Sequence, residues 1–388
     1  DHLRRDSETV LDAVFDATTT TEQVYKHSFR EIVHGSIEGL NGAILAYGQT
    51  SSGKTFSING SSNSSGSASK LEDEPENAGQ KGITQLALDD IFDRIRERTS
   101  VADSSAAPVE FLVRMSYCEL YMERVNDLLR KACSESQNLT VKEDAEQHSF
   151  YVDGLTEQVV TSPEQVLALL SQAEKRRRVA YTRYNEVSSR SHTLLTLHVE
   201  SSAPMEDSDA ASPDDAPVVT KAGRLVIVDL AGNERMETGT DYMAESNSIN
   251  KSLFFLGQVI EKLATRERMN VDDQDVKQGS EHVPFRDSKL TRLLSVHLGG
   301  NSQTGVLITL APPEEYVEQS LSTLRFAQKA ALVRCAAKPV FLSKEQSLIQ
   351  RQREIIAELR SEVKKLKNAQ REPVQSASLP ERRYPEES

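Results

Sequence analysis

A glycine-rich segment near the amino-terminal end carries residue types that bind phosphate. It consists of Gly48, Gln49, Thr50, Ser51, Ser52, Gly53, Lys54 and Thr55. Glycines let the backbone curl so that successive amide N–H groups face a phosphate. In this pattern the lysine contacts the outer phosphates and the last hydroxyl contacts Mg²⁺. The segment predicts a nucleoside-triphosphate site, and an ordinary glycine-serine turn is the alternative.

A carboxylate follows a short apolar run later in the chain. Residues 225–228 read Leu-Val-Ile-Val, Asp229 comes directly after them, and Gly232 follows three residues later. A carboxylate at the end of a buried strand can hold a Mg²⁺-bound water, and the glycine N–H can meet a terminal phosphate. A capped strand end without a ligand is the alternative interpretation.

A third segment combines two adjacent hydroxyls with a cation. Residues 185–192 read Asn-Glu-Val-Ser-Ser-Arg-Ser-His, so Ser188 and Ser189 stand directly before Arg190. This composition suits a loop that closes over Mg²⁺ and the terminal phosphate. From the residues alone, it can equally be a solvated serine turn.

The elements that must position these segments alternate between strand and helix. Strands are predicted from runs at 43–47, 109–117, 195–199, 225–228 and 306–308. Ser162 and Pro163 begin a helix with capping-box spacing to Gln165. The basic run 175–178 ends that helix, where positive charge is favourable. The alternation predicts an α/β fold, with a central sheet covered by helices on both faces.

Composition narrows the class of protein further. The chain has 388 residues and a net charge of −13, of which −9 lies in the polar stretches 59–82, 203–217 and 266–282. We expect these stretches to be solvated loop insertions. No run approaches the roughly 18 apolar residues of a membrane helix, and no apolar signal segment follows the first residues, so we expect a soluble, unsecreted chain. The scattered Cys118, Cys133 and Cys335 indicate reduced thiols.

Taken together, the three phosphate-related segments resemble the nucleotide-binding motifs of the kinesin motor domain, in the same order. Further similar stretches lie at 116–121, 125–129, 249–253, 283–294 and 322–327. The resemblance covers roughly residues 10–345 and implies the P-loop NTPase kinesin fold, with a mostly parallel or mixed sheet. Residues 252–260 resemble the centromere-associated group of that family.

The resemblance implies ATP and Mg²⁺ as cofactors and gives individual residues a role. Ser189 joins Thr55 at Mg²⁺, and Asp229 holds the ion through water. Ser188 and Gly232 meet the γ-phosphate, while Arg190 pairs with Glu234 to gate hydrolysis. Phe56, directly after the glycine-rich segment, stacks on the adenine. Asn233 replaces the serine that is usual between Gly232 and Glu234.

The resemblance also implies a microtubule as partner, bound through Lys251, Arg286, Lys289 and Arg292. The last three residues are spaced three apart, so one helix would place them on one side, facing the acidic surface of tubulin. A solvated basic helix face is the alternative.

The family pattern divides the chain into four parts. Residues 1–331 are expected to form the motor domain, without the family's first strand and its adenine-contacting Arg-x-Arg-Pro motif. Residues 332–343 are the neck linker, in which the usual asparagines are missing. Residues 344–370 carry a heptad pattern that favours a parallel homodimeric coiled coil, a single amphipathic helix on the motor being the alternative. Residues 371–388 are expected to be disordered.

The sequence therefore predicts an ATP-hydrolysing microtubule motor of the cytoplasm and cytoskeleton, including the spindle, with plus-end direction. It predicts neither nucleic-acid binding nor membrane insertion. One alternative is a non-motile tubulin-binding protein with a weakened ATP pocket. A soluble P-loop kinase or GTPase is disfavoured because the sequence has no guanine-reading Asn-Lys-x-Asp.

Overall fold

The computed structural model describes residues 10–61, 79–100, 109–130, 138–145, 149–181, 190–204, 218–234, 243–272 and 282–343. The chain divides into two compact units, residues 1–341 and 342–388. Only Leu342 and Ser343 of the second unit are described, so the predicted coiled coil at 344–370 and the predicted disorder at 371–388 lie outside the described residues. Cys133 does so too.

Helices and strands alternate along the first unit, as the sequence predicts. The helices are α1 (Thr21–Ser28), α2 (Arg30–Ile37), α3 (Lys54–Asn59), α4 (Ile83–Ser100), α5 (Pro163–Tyr181), α6 (Met243–Asp272), α7 (Lys289–Leu293) and α8 (Val317–Ala330). The strands are β1 (Asn41–Gly48), β2 (Glu110–Tyr121), β3 (Arg124–Asp127), β4 (Val141–Asp144), β5 (Ser149–Val152), β6 (Gln158–Val159), β7 (His192–Pro204), β8 (Val218–Asp229), β9 (Gln303–Thr309) and β10 (Phe341–Leu342).

The central sheet is mixed and has the strand order β3-β2-β7-β8-β1-β9. Strand β1 is parallel to both of its neighbours, with Ala46 opposite Asp229 of β8 and Tyr47 opposite Ile308 of β9. Strands β2, β3, β7 and β8 are joined by antiparallel pairs. Because parallel strands end at the same edge of a sheet, the register brings the segment after β1 close to Asp229.

Both faces of the sheet are covered, which confirms the predicted arrangement. On one face, Ile44 and Ile227 pack in a core with Ile91 of α4 and Val166 of α5. On the other face, Leu45 and Val228 belong to a core that includes residues of α6 and α7. Strand β1 is buried along its whole length, because it lies between two strands and between both helical layers.

The start of α5 agrees with the sequence prediction. The helix begins at Pro163, and the Gln165 N–H donates to Ser162 Oγ at 3.3 Å. The reciprocal bond comes from the Thr161 N–H, which donates to Gln165 Oε1 at 2.9 Å, one residue earlier than an ideal capping box requires. Backbone donors before the first helical turn are thereby satisfied.

One predicted loop is partly wrong. Helix α6 continues to Asp272, so residues 266–272 are helical and do not belong to a solvated insertion. Arg266, Glu267 and Arg268 have good helical propensity, so a polar stretch of this kind can continue a long helix. Among the described residues, no helix combines the length and apolar character needed to span a membrane.

Candidate nucleotide site

The glycine-rich segment forms a tight turn between β1 and α3. Gly48 is the last residue of β1, and Lys54 is the first residue of α3. Gly53 has a φ of 104° and Ser51 a φ of 61°, so the backbone passes through the left-handed region at two positions. Glycine adopts such angles without strain. A chain that curls this tightly can direct several amide N–H groups toward one anion, as the sequence predicts.

Lys54 is buried at the base of this turn. Its Nζ donates to the carbonyl oxygens of Gly48 at 2.9 Å and Gln49 at 2.6 Å. Burial lowers the pKa of Lys54, while the carboxylates of Asp229 and Glu234 oppose that shift. A cation held away from water by neutral carbonyl groups interacts strongly with an added phosphate.

Thr55 and Asp229 meet as the sheet register requires. The Thr55 hydroxyl donates to Asp229 Oδ2 at 2.6 Å, whereas Asp229 Oδ1 is buried and has no hydrogen-bond partner among the residues that the structure describes. Burial raises the pKa of Asp229, and the bond from Thr55 opposes the rise. An unpartnered buried carboxylate oxygen beside a hydroxyl fits a hydrated Mg²⁺, which prefers oxygen ligands and keeps several waters.

Glu234 lies against the turn and contacts Thr50. The Thr50 N–H donates to Glu234 Oε2 at 2.8 Å, and the Thr50 hydroxyl donates to Oε1 at 2.5 Å. Gly232 passes so close that a Cβ there would lie 2.3 Å from both Thr50 Oγ1 and Glu234 Oε2, so a larger residue would displace the Glu234 carboxylate from Thr50. Ser188 and Ser189 lie outside the described residues, and the pair of Glu234 with Arg190 stays a prediction.

Sequence reasoning missed the contacts by which Asn233 and Ser52 hold these loops. The Asn233 N–H donates to Gly48 O at 3.3 Å, and its Nδ2 donates to Thr323 Oγ1 of α8 at 2.8 Å. The Ser52 hydroxyl hydrogen bonds with Thr309 Oγ1 at the end of β9, 2.6 Å away. Asparagine at 233 therefore ties the loop after β8 to α8. Neither partner could be identified from local sequence, because each is brought in by long-range folding.

A buried ion pair supports the start of β7. Arg177 Nε and the Ser191 hydroxyl both donate to Glu119 Oε1 at 2.7 Å, and the exposed fraction of Glu119 is 2%. The prediction that the run 175–178 serves mainly as helix-end charge is therefore incomplete, because Arg177 points inward. Phe56 is 38% exposed, and its stacking on a base stays a prediction.

The prediction that Arg286, Lys289 and Arg292 lie on one helix is wrong, whereas their contact with tubulin stays a prediction. Arg286 lies in a 3-10 turn, and Ser288 has extended backbone and caps α7, which begins at Lys289. The Ser288 hydroxyl accepts from the Thr291 N–H, which ends the turn and starts a new helix. Arg292 still lies beside Arg286, since its Nε donates to the Arg286 carbonyl at 3.0 Å. Lys251 is exposed on α6.

The segment predicted as the neck linker is held by the core through its backbone. The Ala336 N–H donates to Gly300 O at 3.1 Å, and the Lys338 N–H donates to Asn301 Oδ1 at 2.5 Å. Farther along, the Val340 N–H donates to Gly39 O at 2.9 Å. The Val340 carbonyl accepts from the Ala222 N–H, also at 2.9 Å. Asn301 of the core therefore contributes an asparagine at this junction, whereas the segment 332–343 lacks the asparagines that are usual in a neck linker.

Comparisons with known proteins agree with this geometry. The family model "Kinesin motor domain" matches residues 2–333. Kinesin-like protein KIN-7L of Oryza sativa subsp. japonica is 40% identical over 96% of the chain, and KIN-7N of Arabidopsis thaliana is 38% identical over 90%. The chain spans 51% and 37% of these two relatives.

Two solved structures are similar in fold and in sequence. The structure of a fast kinesin has a TM-score of 0.67 and 34% identity, and the match covers 86% of this chain and 82% of the other. The KIF14 dimer with AMP-PNP on a microtubule has a TM-score of 0.67 and 28% identity, with 84% and 80% covered. The family match over residues 2–333 includes the glycine-rich turn and the strands and helices around it, and this chain belongs to the kinesin motor-domain family.

Proposed function

We propose that this chain is an ATP-hydrolysing microtubule motor domain. The observation that carries the proposal is the meeting of Lys54, Thr55 and Asp229 at one edge of the sheet, where one buried Asp229 oxygen has no partner within the described part of the chain. Membership of the kinesin motor-domain family supports the same function.

A bound Mg²⁺ would be held by Thr55, by the predicted Ser189 and, through water, by Asp229. The ion would neutralise charge on the phosphates. The amides of the turn and Lys54 bind the phosphate chain and orient it. Hydrolysis of this kind depends mainly on positioning and charge stabilisation. No strong base is therefore required, and Glu234 relays a proton through water once its contacts with Thr50 are exchanged for Arg190.

The predicted partner is tubulin, and one similar solved structure is of a kinesin dimer on a microtubule. Lys251, Arg286, Lys289 and Arg292 supply positive charge toward that acidic surface, and the backbone contacts of residues 336–340 support neck-linker docking. Plus-end movement, homodimerisation through residues 344–370 and a cytoskeletal location, including the spindle, belong to the same proposal.

The test is steady-state ATPase activity with and without microtubules. We expect strong stimulation of turnover, with K54A as the control for contaminating ATPase, because that variant loses the only side-chain cation of the turn. Microtubule binding without turnover would favour the non-motile alternative. Turnover that ignores tubulin would point to a soluble P-loop enzyme.

A further inference from the structure

One histidine outside the predicted site joins two parts of the proposed motor. His192 is the first residue of β7 and is 2% exposed. Its ring lies between the loop that follows β8 and helix α6, since it hydrogen bonds with Ala231 and with Ser252. The sequence predicts neither partner, because Ala231 and Ser252 lie 39 and 60 residues away along the chain.

The two hydrogen bonds fix the state of the ring. The Ala231 N–H donates to His192 Nδ1 at 2.9 Å, so Nδ1 is the unprotonated acceptor. Burial lowers the pKa of His192 to about 3, and Lys54 adds to the lowering. The neutral ring therefore carries its proton on Nε2, which donates to Ser252 Oγ at 2.8 Å.

The residues next to these partners have distinct proposed roles. Ala231 immediately precedes Gly232, which the family resemblance assigns to the γ-phosphate. Ser252 immediately follows Lys251, which it assigns to tubulin. Both bonds are shielded from water, because Ala231 is 2% and Ser252 4% exposed. A buried hydrogen bond is costly to break or leave unmade. The loop after β8 and the part of α6 around Ser252 therefore cannot move independently at low cost.

We infer that His192 is a positioning residue that couples the nucleotide-sensing loop after β8 to the track-binding helix α6. This inference rests on the proposed function and names a residue that transmits its signal. When the loop moves toward or away from the terminal phosphate, the His192 ring moves with it through the bond from the Ala231 N–H. Ser252 then moves with the ring through its bond to Nε2. The opposite direction holds equally, because coupling between two binding events is reciprocal.

Four substitutions separate this role from simple packing. His192→Asn places an oxygen where Nδ1 stands, so it keeps the acceptor for Ala231 and loses the reach to Ser252. His192→Gln places an amide where Nε2 stands and keeps the other half. Ser252→Ala cuts the second bond from the helix side, and Ser252→Thr is the matched control, because it keeps the hydroxyl.

The first readout is the ratio of microtubule dissociation constants in ADP and in a non-hydrolysable ATP analogue. We expect a ratio of about tenfold or more for the unmodified chain, which lies within the usual range of coupling. His192→Asn and Ser252→Ala should each reduce it to about twofold, and their double variant should reduce it no further, since both cut the same bond. His192→Gln should lose coupling as well, whereas Ser252→Thr should retain it.

The second readout needs no microtubules, so it separates this inference from the proposed function. Amide hydrogen exchange across α6 should differ between Mg·ADP and the Mg·ATP analogue, and the difference should vanish in His192→Asn and Ser252→Ala while their nucleotide affinities stay within about twofold. Loss of this difference without any microtubule binding would uphold the link and reject the motor. A nucleotide-dependent difference that persists in both variants would overturn the link, as would additive effects in the double variant. A melting curve for each variant identifies one that fails to fold, and Ser252→Ala and its Ser252→Thr control then decide the outcome.

Discussion

An ion pair on the proposed track-binding surface should weaken microtubule binding. Arg286 donates from one terminal nitrogen to both oxygens of Glu143, at 2.8 and 3.0 Å, and thereby joins the 3-10 turn before α7 to strand β4. A guanidinium that faces its own carboxylate is less available to an acidic partner. We therefore expect Glu143→Gln, which preserves shape and removes the charge, to tighten microtubule binding.

The size of the effect follows from the exposure of the pair. At 2.8 Å in a water-like dielectric, the Coulomb attraction is about 1.5 kcal/mol, but the side chains of Arg286 and Glu143 are 64% and 45% exposed. Side-chain entropy and salt reduce such pairs to about 0.2–1 kcal/mol. Release of Arg286 should thus lower the microtubule dissociation constant by at most about fivefold, and less as salt rises.

Co-sedimentation with microtubules across a salt series measures this effect. The matched control is Asp153→Asn, which removes one negative charge next to β5 and thereby frees Lys142. The Lys142–Asp153 ion pair has a distance of 2.7 Å and an exposure similar to that of the Arg286–Glu143 pair. Equal tightening by both variants would mean that overall charge acts and the Arg286 pair does not. The reasoning fails outright if Glu143→Gln binds no tighter at low salt, or if its gain persists at high salt.

Four further outcomes are expected. Lys54→Ala should reduce ATP affinity, measured by calorimetry, at least 100-fold, because it removes a buried charge-assisted contact that contributes about 3 kcal/mol or more. Unchanged affinity would reject the phosphate-binding assignment. Glu234→Ala should bind ATP and microtubules yet hydrolyse ATP at least about 100-fold more slowly in a single-turnover assay, and near-normal stimulated turnover would show that this carboxylate does not gate the reaction. Asn301→Ala should raise amide exchange at residues 336–340, whereas Asn301→Asp, which keeps the acceptor, should not. Burial lowers the pKa values of His192 and His297 to about 3, so the unfolded chain takes up protons first as pH falls below about 6.5. The free energy of unfolding, measured with urea, should therefore fall by about 1.4 kcal/mol per pH unit for each histidine. His297→Gln should make that dependence on pH less steep.

Local patterns predict the sheet and the glycine-rich turn at residues 48–55 well. The buried runs of β1 and β8 are continuous because both faces of these strands are covered, and such runs are easy to recognise. Gly53 and Lys54 belong to a contiguous motif whose geometry depends on its own backbone. The start of α5 at Pro163 was predictable for the same reason, since its capping residues are neighbours in sequence.

Features that depend on long-range contacts escaped sequence reasoning. Arg177 was interpreted from its neighbours in a basic run, although Glu119, on a distant strand, decides its orientation. The break at Ser288 is a capping choice that a spacing of three residues cannot reveal. His192 and Ser252 are 60 residues apart, so no pattern within a window connects them. Side chains that link elements are the part of a site that sequence periodicity cannot encode.

The contacts of Glu234 suggest why one carboxylate can act as a gate. Its two oxygens accept from Thr50, and hydrogen bonds to a charged group contribute about 1.5–3 kcal/mol each. Forming the predicted pair with Arg190 therefore costs several kcal/mol unless the new ion pair and the contacts made to a terminal phosphate offset the loss. A switch of this kind needs two states whose free energies lie within a few kcal/mol. The predicted competition between Thr50 and Arg190 for Glu234 would provide such a balance, on a loop tied to α8 by Asn233 and to α6 through His192. Only a ligand that interacts differently with the two states can shift it.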